Sequence, residues 1–303
     1  MMFSVRGLVM SNNRDLSCSV DCKYCMVSKT HSKRTEWQNK NLGFNNTSIF
    51  IGRFIKDKPL KDLDIDFSLL ANDIVGLGIV DCFDIRYIDD LEFMISNLDN
   101  FKIRRLLLIS KIPVSDRVLN IIKNKRVTVA YSITGLDKYK IESTTTEDRL
   151  NSLEKLVNNN TDCLVLIQPY IHGISDLSFI SRLNKIGVKH LACKGFTYEK
   201  ENMKELVYSG MDESILNRYY NLGKEVFIGE DYVKELVNLN NLEYVDLKEY
   251  ILRNVGDTYR LSYEDAVKSV DRVFSILKSY ITICSSSESL DEIRENAIKR
   301  RTI

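Results

Sequence analysis

Apolar residues along this chain fall into short continuous runs, separated by segments whose apolar positions recur every three or four residues. The first run, residues 3–10, predicts a β-strand, with Asn12, Asn13 and Asp15 as turn residues behind it. Residues 48–54 form a second short apolar run, and 67–74 predict a helix leading to the next strand. A rhythm then sets in. Residues 78–83 predict a strand, and 89–98 a helix with Leu91, Met94, Ile95 and Leu98 on one face. Residues 105–110 predict a strand and 115–123 a helix capped by Ser115. Residues 127–133 predict a strand, and 146–158 a helix for which Thr144, Thr145 and Thr146 are all possible caps. The strand 163–168, the helix 176–186 and the strand 188–193 complete the series.

Counting the first run, this makes about six strands, mostly alternating with helices. Their apolar runs suit a parallel sheet buried on both faces. The expected fold class is therefore α/β: a partial (βα)6 TIM-type barrel of parallel strands, its site at the strand C-termini. Past Gly195 the rhythm changes to helices at 199–209, 213–222, 232–239 and 262–279, with a charged amphipathic stretch at 288–301. The expected division is a core barrel over 1–197 and a mainly helical C-terminal region over 198–303, packed on it.

Composition narrows the class without naming a function. The 303 residues are 44% hydrophobic and 28% charged with a formal net charge of +1, an ordinary globular balance. Nothing in the bulk charge calls for a nucleic acid or a membrane surface. No apolar run is long enough to span a bilayer, and no charged-then-apolar leader opens the sequence. A cytoplasmic protein is the expectation. The seven cysteines are Cys18, Cys22, Cys25, Cys82, Cys163, Cys193 and Cys284. Cys82, Cys163 and Cys193 sit in apolar stretches and read as small buried hydrophobes.

The other cysteines carry the candidate chemistry. Cys18-Ser-Val-Asp-Cys22-Lys-Tyr-Cys25 spaces three thiols as CxxxCxxC in a single loop after the first strand. A zinc finger or an ordinary ferredoxin cluster wants a fourth nearby ligand. The next cysteine is Cys82 and the only nearby histidine His31. Zinc and a structural thiol loop stay open, beside a cluster with one iron left for something other than protein.

With Tyr24 before the last cysteine, the loop resembles the signature of the radical S-adenosylmethionine (radical SAM) superfamily. The resemblance implies a [4Fe–4S] cluster held by Cys18, Cys22 and Cys25, with SAM chelating the fourth iron through its amino and carboxylate groups. It further implies reductive cleavage of SAM to a 5′-deoxyadenosyl radical that abstracts hydrogen from a substrate. An electron donor such as flavodoxin or ferredoxin is the implied partner. Ile109-Ser-Lys111, Ser132-Ile-Thr-Gly-Leu136, Glu147-Asp-Arg149-Leu150 and Ile167-Gln-Pro-Tyr-Ile171-His-Gly173-Ile-Ser-Asp176 look similar to the spore photoproduct lyase-like subgroup. Ser110, Ser143, Gln168 and His172 depart from that subgroup's pattern.

By position, the resemblance makes Asp81 or Asp84 the acceptor for the SAM ammonium. Lys111 becomes a contact for its carboxylate, and Ser132 and Thr134 for its ribose or carboxylate; Glu142 and Arg149 form an ion pair that orients their loop, or Arg149 reaches SAM. Ile171 and Gly173 are expected to pack on the adenine. The substrate favoured by the subgroup is a nucleic-acid lesion or a nucleotide-like molecule, and Cys284 is the candidate to return hydrogen to the product. The basic run Lys29, Lys33, Arg34 and Lys40 with Trp37 keeps a small or single-stranded nucleic acid open. A peptide-modifying enzyme without auxiliary clusters is the alternative, since only Cys284 lies beyond residue 193. A non-catalytic metal-binding interaction protein is the third reading.

Overall fold

Eight strands share one sheet in the computed structural model: β1 (Met2–Val5), β2 (Leu8–Ser11), β3 (Ile74–Leu77), β4 (Arg105–Ser110), β5 (Val127–Ser132), β6 (Asp162–Tyr170), β7 (His190–Gly195) and β8 (Glu243–Tyr244). The described residues are 2–5, 8–11, 18–25, 74–77, 81–196, 200–221, 227–247 and 249–250, with a few single positions elsewhere. The strand order is β2-β1-β3-β4-β5-β6-β7-β8. From β3 to β8 every neighbouring pair is parallel, giving six parallel strands in one open sheet. Helices α1 (Ile88–Ser96), α2 (Asp116–Ile122), α3 (Thr146–Asn158) and α4 (Ile180–Ile186) fall between them, and α5 (Lys200–Tyr208), α6 (Glu213–Asn221) and α7 (Glu230–Leu239) precede β8. This is an α/β fold of the partial TIM-barrel kind.

The helices form where local chemistry starts and stops them. Ser115 accepts from the Val118 N–H to open α2. Thr145 and Asp148 close a reciprocal capping box on α3. Gly187, at φ 95°, takes the left-handed position that ends α4.

Alternation along the strands then separates two faces. Leu106, Leu108, Val127, Val129, Val165, Ile167 and Leu191 pack outwards on Leu91, Met94, Val118, Leu150, Leu153 and Leu183. Ala130, Leu164, Leu166 and Ala192 face inwards with Val245, Leu247 and Tyr250. Burial on both faces is why these strands read as near-continuous apolar runs.

The departures from the pattern are local. The single strand expected over 3–10 is the hairpin β1–β2, paired antiparallel from Met2↔Ser11 to Val5↔Leu8. Arg6-Gly7 lies between its arms, and a glycine inside a short apolar run is a turn signal. The strand expected over 78–83 lies earlier, as β3, so that Ile74 begins a strand rather than ending a helix. Residues 81–84 form a turn instead, and 67–73 and 78–80 lie outside the described residues. The helix expected from 176 starts at Ile180, after a turn in which Asp176 accepts from the Ser178 N–H at 2.9 Å. The sixth parallel strand is β8, too short to show alternation in the sequence; the chain past 197 thus adds to the same sheet. Most of the helix expected over 262–279 lies outside the described residues. Among the described residues no helix is long and apolar enough to cross a membrane.

Candidate functional site

The hairpin decides where the cysteine loop emerges. β2 is antiparallel to β1, and β1 is antiparallel to β3, so β2 runs in the same sense as the six parallel strands. Its C-terminal end, from which the chain proceeds to Cys18, lies on the side where β3 to β8 end. Hydrogen bonds then dock the loop on that side. The Lys23 N–H donates to the Ile141 carbonyl at 3.0 Å, and the Ser143 N–H to the Val20 carbonyl at 3.1 Å. The Ser19 N–H donates to Asp84 Oδ2 at 3.2 Å. Val20 and Tyr24 are buried beneath the loop.

Cys18, Cys22 and Cys25 are free thiols and half-buried. Burial pushes the Cys18 thiol up and the Cys22 thiol up to about 12, with Lys111 pulling Cys22 the other way. A bound metal centre reverses that cost by deprotonating its thiol ligands. Among the described residues no three His, Cys, Asp or Glu side chains converge as they would on a single ion. The donor set of the docked loop, three thiols outside any disulfide, would suit an iron–sulfur cluster.

Asp81 and Asp84 are the expected acceptors for the SAM ammonium, and each meets four donors from the protein itself. Asp81 accepts from Phe83 N at 3.0 Å, Ser110 Oγ at 2.6 Å, Lys111 N at 2.6 Å and Ile112 N at 3.2 Å. Asp84 accepts from Arg86 N, Nε and Nη2 at 3.0, 2.9 and 2.7 Å, besides Ser19 N. Four contacts fill a carboxylate's acceptor positions. Burial pushes the Asp81 carboxyl up, against these hydrogen bonds. For Asp84 burial is outweighed by Arg86 and Ser19, which hold it below the usual range. Asp81 ties the turn after β3 to the end of β4; Asp84 ties that turn to the cysteine loop.

Glu142 is the centre of the site. Its Oε1 accepts from the Tyr24 hydroxyl and lies 3.6 Å from Lys111 Nζ and 3.8 Å from Cys22 Sγ. Its Oε2 accepts from Thr134 Oγ1 at 2.6 Å and from Arg149 Nη1 at 3.0 Å. Lys111 Nζ also donates to Ser132 Oγ at 2.7 Å and to the Gln168 carbonyl at 2.6 Å, and stands 5.4 Å from the centre of the Tyr24 ring. Arg149, fully buried, donates further to Thr144 Oγ1 from Nε at 3.0 Å and from Nη2 at 2.6 Å. The structure thus brings Lys111, Ser132, Thr134 and Arg149 into one network, with the expected Glu142–Arg149 ion pair within it. The link from Tyr24 to Glu142 was not foreseen. Its only trace in the sequence is a tyrosine where any aromatic would serve.

Charge sets the protonation of this network. Burial would raise the Glu142 carboxyl, but Lys111 and Arg149, with Thr134 and Tyr24, hold it at about 2. For Lys111 burial wins, and its ammonium is held below the ordinary lysine value despite Glu142. Glu142 faces two cations whereas Lys111 faces chiefly one anion, so the directions differ; the carboxylate, with more partners, is the firmer of the two.

A stability prediction follows from this. An unfolded glutamate titrates near ~4.3. The folded value lies below it, so Glu142 stabilises the fold fully above about pH 5 and loses that contribution as pH falls towards 2. Asp84 adds to the same loss. Urea midpoints measured from neutral to acid pH are expected to fall more steeply for the natural protein than for Glu142→Gln.

Around the network lies an apolar cluster of Tyr24, Leu136, Ile141, Ile171, Phe196 and Tyr219. Ile171, expected against the adenine, is fully buried within it. Gly173 has φ +82°, and a Cβ there would stand 3.6 Å from Ile215, so its glycine serves the backbone angle and not a close approach. The close approach is instead at Gly135, in the stretch Ser132-Ile-Thr-Gly-Leu136. With φ +64°, its added Cβ would lie 2.0 Å from the Asp176 carbonyl oxygen. Gly135→Ala is expected to cost about 2–3 kcal/mol, from overpacking and backbone strain together, read as a lowered urea midpoint. Cys82 is buried, and Cys163 and Cys193 pack half-buried against the core, as expected of small hydrophobes. Cys284 and the basic run 29–40 lie outside the described residues.

No protein-family model matches the chain, and no curated protein matches it. Among solved structures it is similar to Streptococcus suis SuiB, at 10% identity over 78% of this chain and 48% of that one, with a TM-score of 0.47. It is similar to SuiB bound to S-adenosylmethionine at 11% identity, over 86% and 54%, with a TM-score of 0.48. It is also similar to spore photoproduct lyase complexed with dinucleoside spore photoproduct, at 14% identity over 71% and 61%, with a TM-score of 0.37. The chain spans about half the length of the SuiB chains it matches.

Proposed function

We propose that this protein is a radical SAM enzyme whose Cys18, Cys22 and Cys25 hold a [4Fe–4S] cluster. The observation that carries the reading is the docked CxxxCxxC loop: three free thiols delivered to the C-terminal side of a parallel sheet, beside a buried, cation-rich network. Held by Cys18, Cys22 and Cys25, such a cluster would supply the one-electron reduction of SAM from which a hydrogen-abstracting radical would come.

The chain's own part is binding, orientation and exclusion of water. Lys111 and Arg149 both pair with Glu142 in a buried place, and these two cations suit the methionyl carboxylate. Ser132 and Thr134, at and just past the end of β5, add hydroxyls on the same side. The Tyr24 bond to Glu142 keeps the cysteine loop registered on the network, and the cluster around Ile171 and Phe196 keeps the surroundings dry. Asp81 and Asp84 act through the backbone, fixing the ends of β4 and of the cysteine loop. The substrate class that goes with this reading is a nucleic-acid lesion or a nucleotide-like molecule, and flavodoxin or ferredoxin is the electron donor.

Anaerobic reconstitution with iron and sulfide tests the reading. About four irons and four sulfides per chain are expected, with a reduced-cluster resonance that changes on adding SAM. Failure to take up iron, or a resonance indifferent to SAM, would count against it.

A further inference from the structure

In β4 to β7 every residue is buried or half-buried except two, Gln168 and Lys194. Both stand on the inner face. Leu164 and Leu166 of β6 and Ala192 of β7 belong to the inward cluster, so by alternation Gln168 and Lys194 continue the same columns towards the C-terminal ends. The last regular partners of the two strands are Ile167 and Cys193, and the pair lies one residue beyond them, on neighbouring strands. A register shift follows between Ile167 and Tyr170, where Pro169 removes a ladder donor, and it turns Tyr170 to the outer cluster.

The inner face is layered. At the strand starts, Arg105 Nη1 lies 3.1 Å from Asp162 Oδ2, and Tyr250 closes on Asp162 Oδ1 at 2.6 Å. Leu107 and Thr128 stand level with Asp162; next come Ile109, Ala130 and Leu164, and then Ser132, Leu166 and Ala192. Towards the strand ends the face turns polar, with Ser132, Lys111, Gln168 and Lys194. The Gln168 carbonyl is pinned by Lys111 Nζ at 2.6 Å and by Ser132 Oγ at 3.2 Å. The Gln168 backbone is therefore fixed beside the network assigned to SAM.

We propose that Gln168 and Lys194 bind an oxyanion of the substrate, a phosphate or a carboxylate, next to the bound SAM. The inference rests on the radical SAM reading and names the chemistry its substrate must carry. An amide N–H and an ammonium side by side are a donor pair for a single oxyanion. Lys194 stands exposed at the end of the inner face, beside Gln168 on the neighbouring strand.

Titration calorimetry on the reconstituted, full-length protein tests this in two steps. SAM is titrated first; inorganic pyrophosphate or malonate is then titrated into the SAM-saturated sample at matched ionic strength. One of the two anions is expected to bind, about tenfold or more weakly in Lys194→Met and in Gln168→Glu, and unchanged in the exposed control Lys185→Met. Tighter binding of pyrophosphate points to a phosphate, tighter binding of malonate to a carboxylate. Normal SAM binding with no anion binding, or with equal binding by both variants, overturns the inference and leaves the radical SAM reading standing. Absence of SAM binding overturns that reading, and the inference with it.

Discussion

Cys22→Ala protein is expected to leave anaerobic reconstitution colourless, with iron at background and no detectable SAM cleavage. The reason is ligand supply. The loop offers three thiols, and the next cysteine, Cys82, is buried with its Sγ 3.5 Å from the Ile109 carbonyl. Packed there, it is committed to the core. Loss of folding is a weak rival explanation, because Cys22 is half-buried and its bond to Glu142 is a long one at 3.8 Å. Far-ultraviolet circular dichroism is therefore expected to match the natural protein. Cys163→Ala, which alters a thiol packed against the core, is expected to keep iron and colour. A brown Cys22→Ala protein that still cleaves SAM would remove the basis of the metal assignment.

Glu142→Ala is expected to be the most destabilising single change at the site. Its hydrogen bonds alone would be worth roughly 1 kcal/mol each. The larger effect is electrostatic: the change strands Arg149, fully buried, and Lys111, mostly buried, without their shared anion. Breaking a buried ion pair from one side costs ~3–5 kcal/mol, which lowers the melting temperature of a chain this size by roughly 5–10 °C. Removing both ends of the pair avoids the stranded charge. Glu142→Gln with Arg149→Met is thus expected to be more stable than the sum of its single variants predicts. Urea unfolding of the four proteins measures the coupling, and additive losses would show that Glu142 and Arg149 do not act as a pair. The loop is expected to register the change as well, since Tyr24 loses its acceptor. Faster reaction of Cys18, Cys22 and Cys25 with a thiol reagent would report it.

What could be read from the sequence followed how local its physical cause was. The strands β4 and β5 and the helix α3 were legible because two buried faces leave an apolar run, and because Thr145 caps from within its own turn. The Glu142–Arg149 pair lies within one loop and helix start, and it too was legible. The saturation of Asp81 was not, because two of its four donors come from Lys111 and Ile112, about thirty residues away. Gly135 looked ordinary until the Asp176 backbone was laid against it. β8, two residues long, exists only because β7 offers an edge. The hairpin is the most instructive case. A single strand and a strand pair over residues 2–11 share one apolar pattern, yet the pair is what turns the chain back towards the C-terminal side of the sheet. Likewise, Gln168 and Lys194 declare themselves only once the inner face of the sheet is known.

The central claim is that the cysteine loop holds a cluster which needs SAM to complete it. Its most direct test is to incubate the reconstituted protein with SAM and dithionite under anaerobic conditions and to quantify 5′-deoxyadenosine by liquid chromatography and mass spectrometry. 5′-Deoxyadenosine and methionine are expected in equal amounts, dependent on reductant and absent from Cys22→Ala. A fully iron-loaded protein that forms no 5′-deoxyadenosine would contradict it.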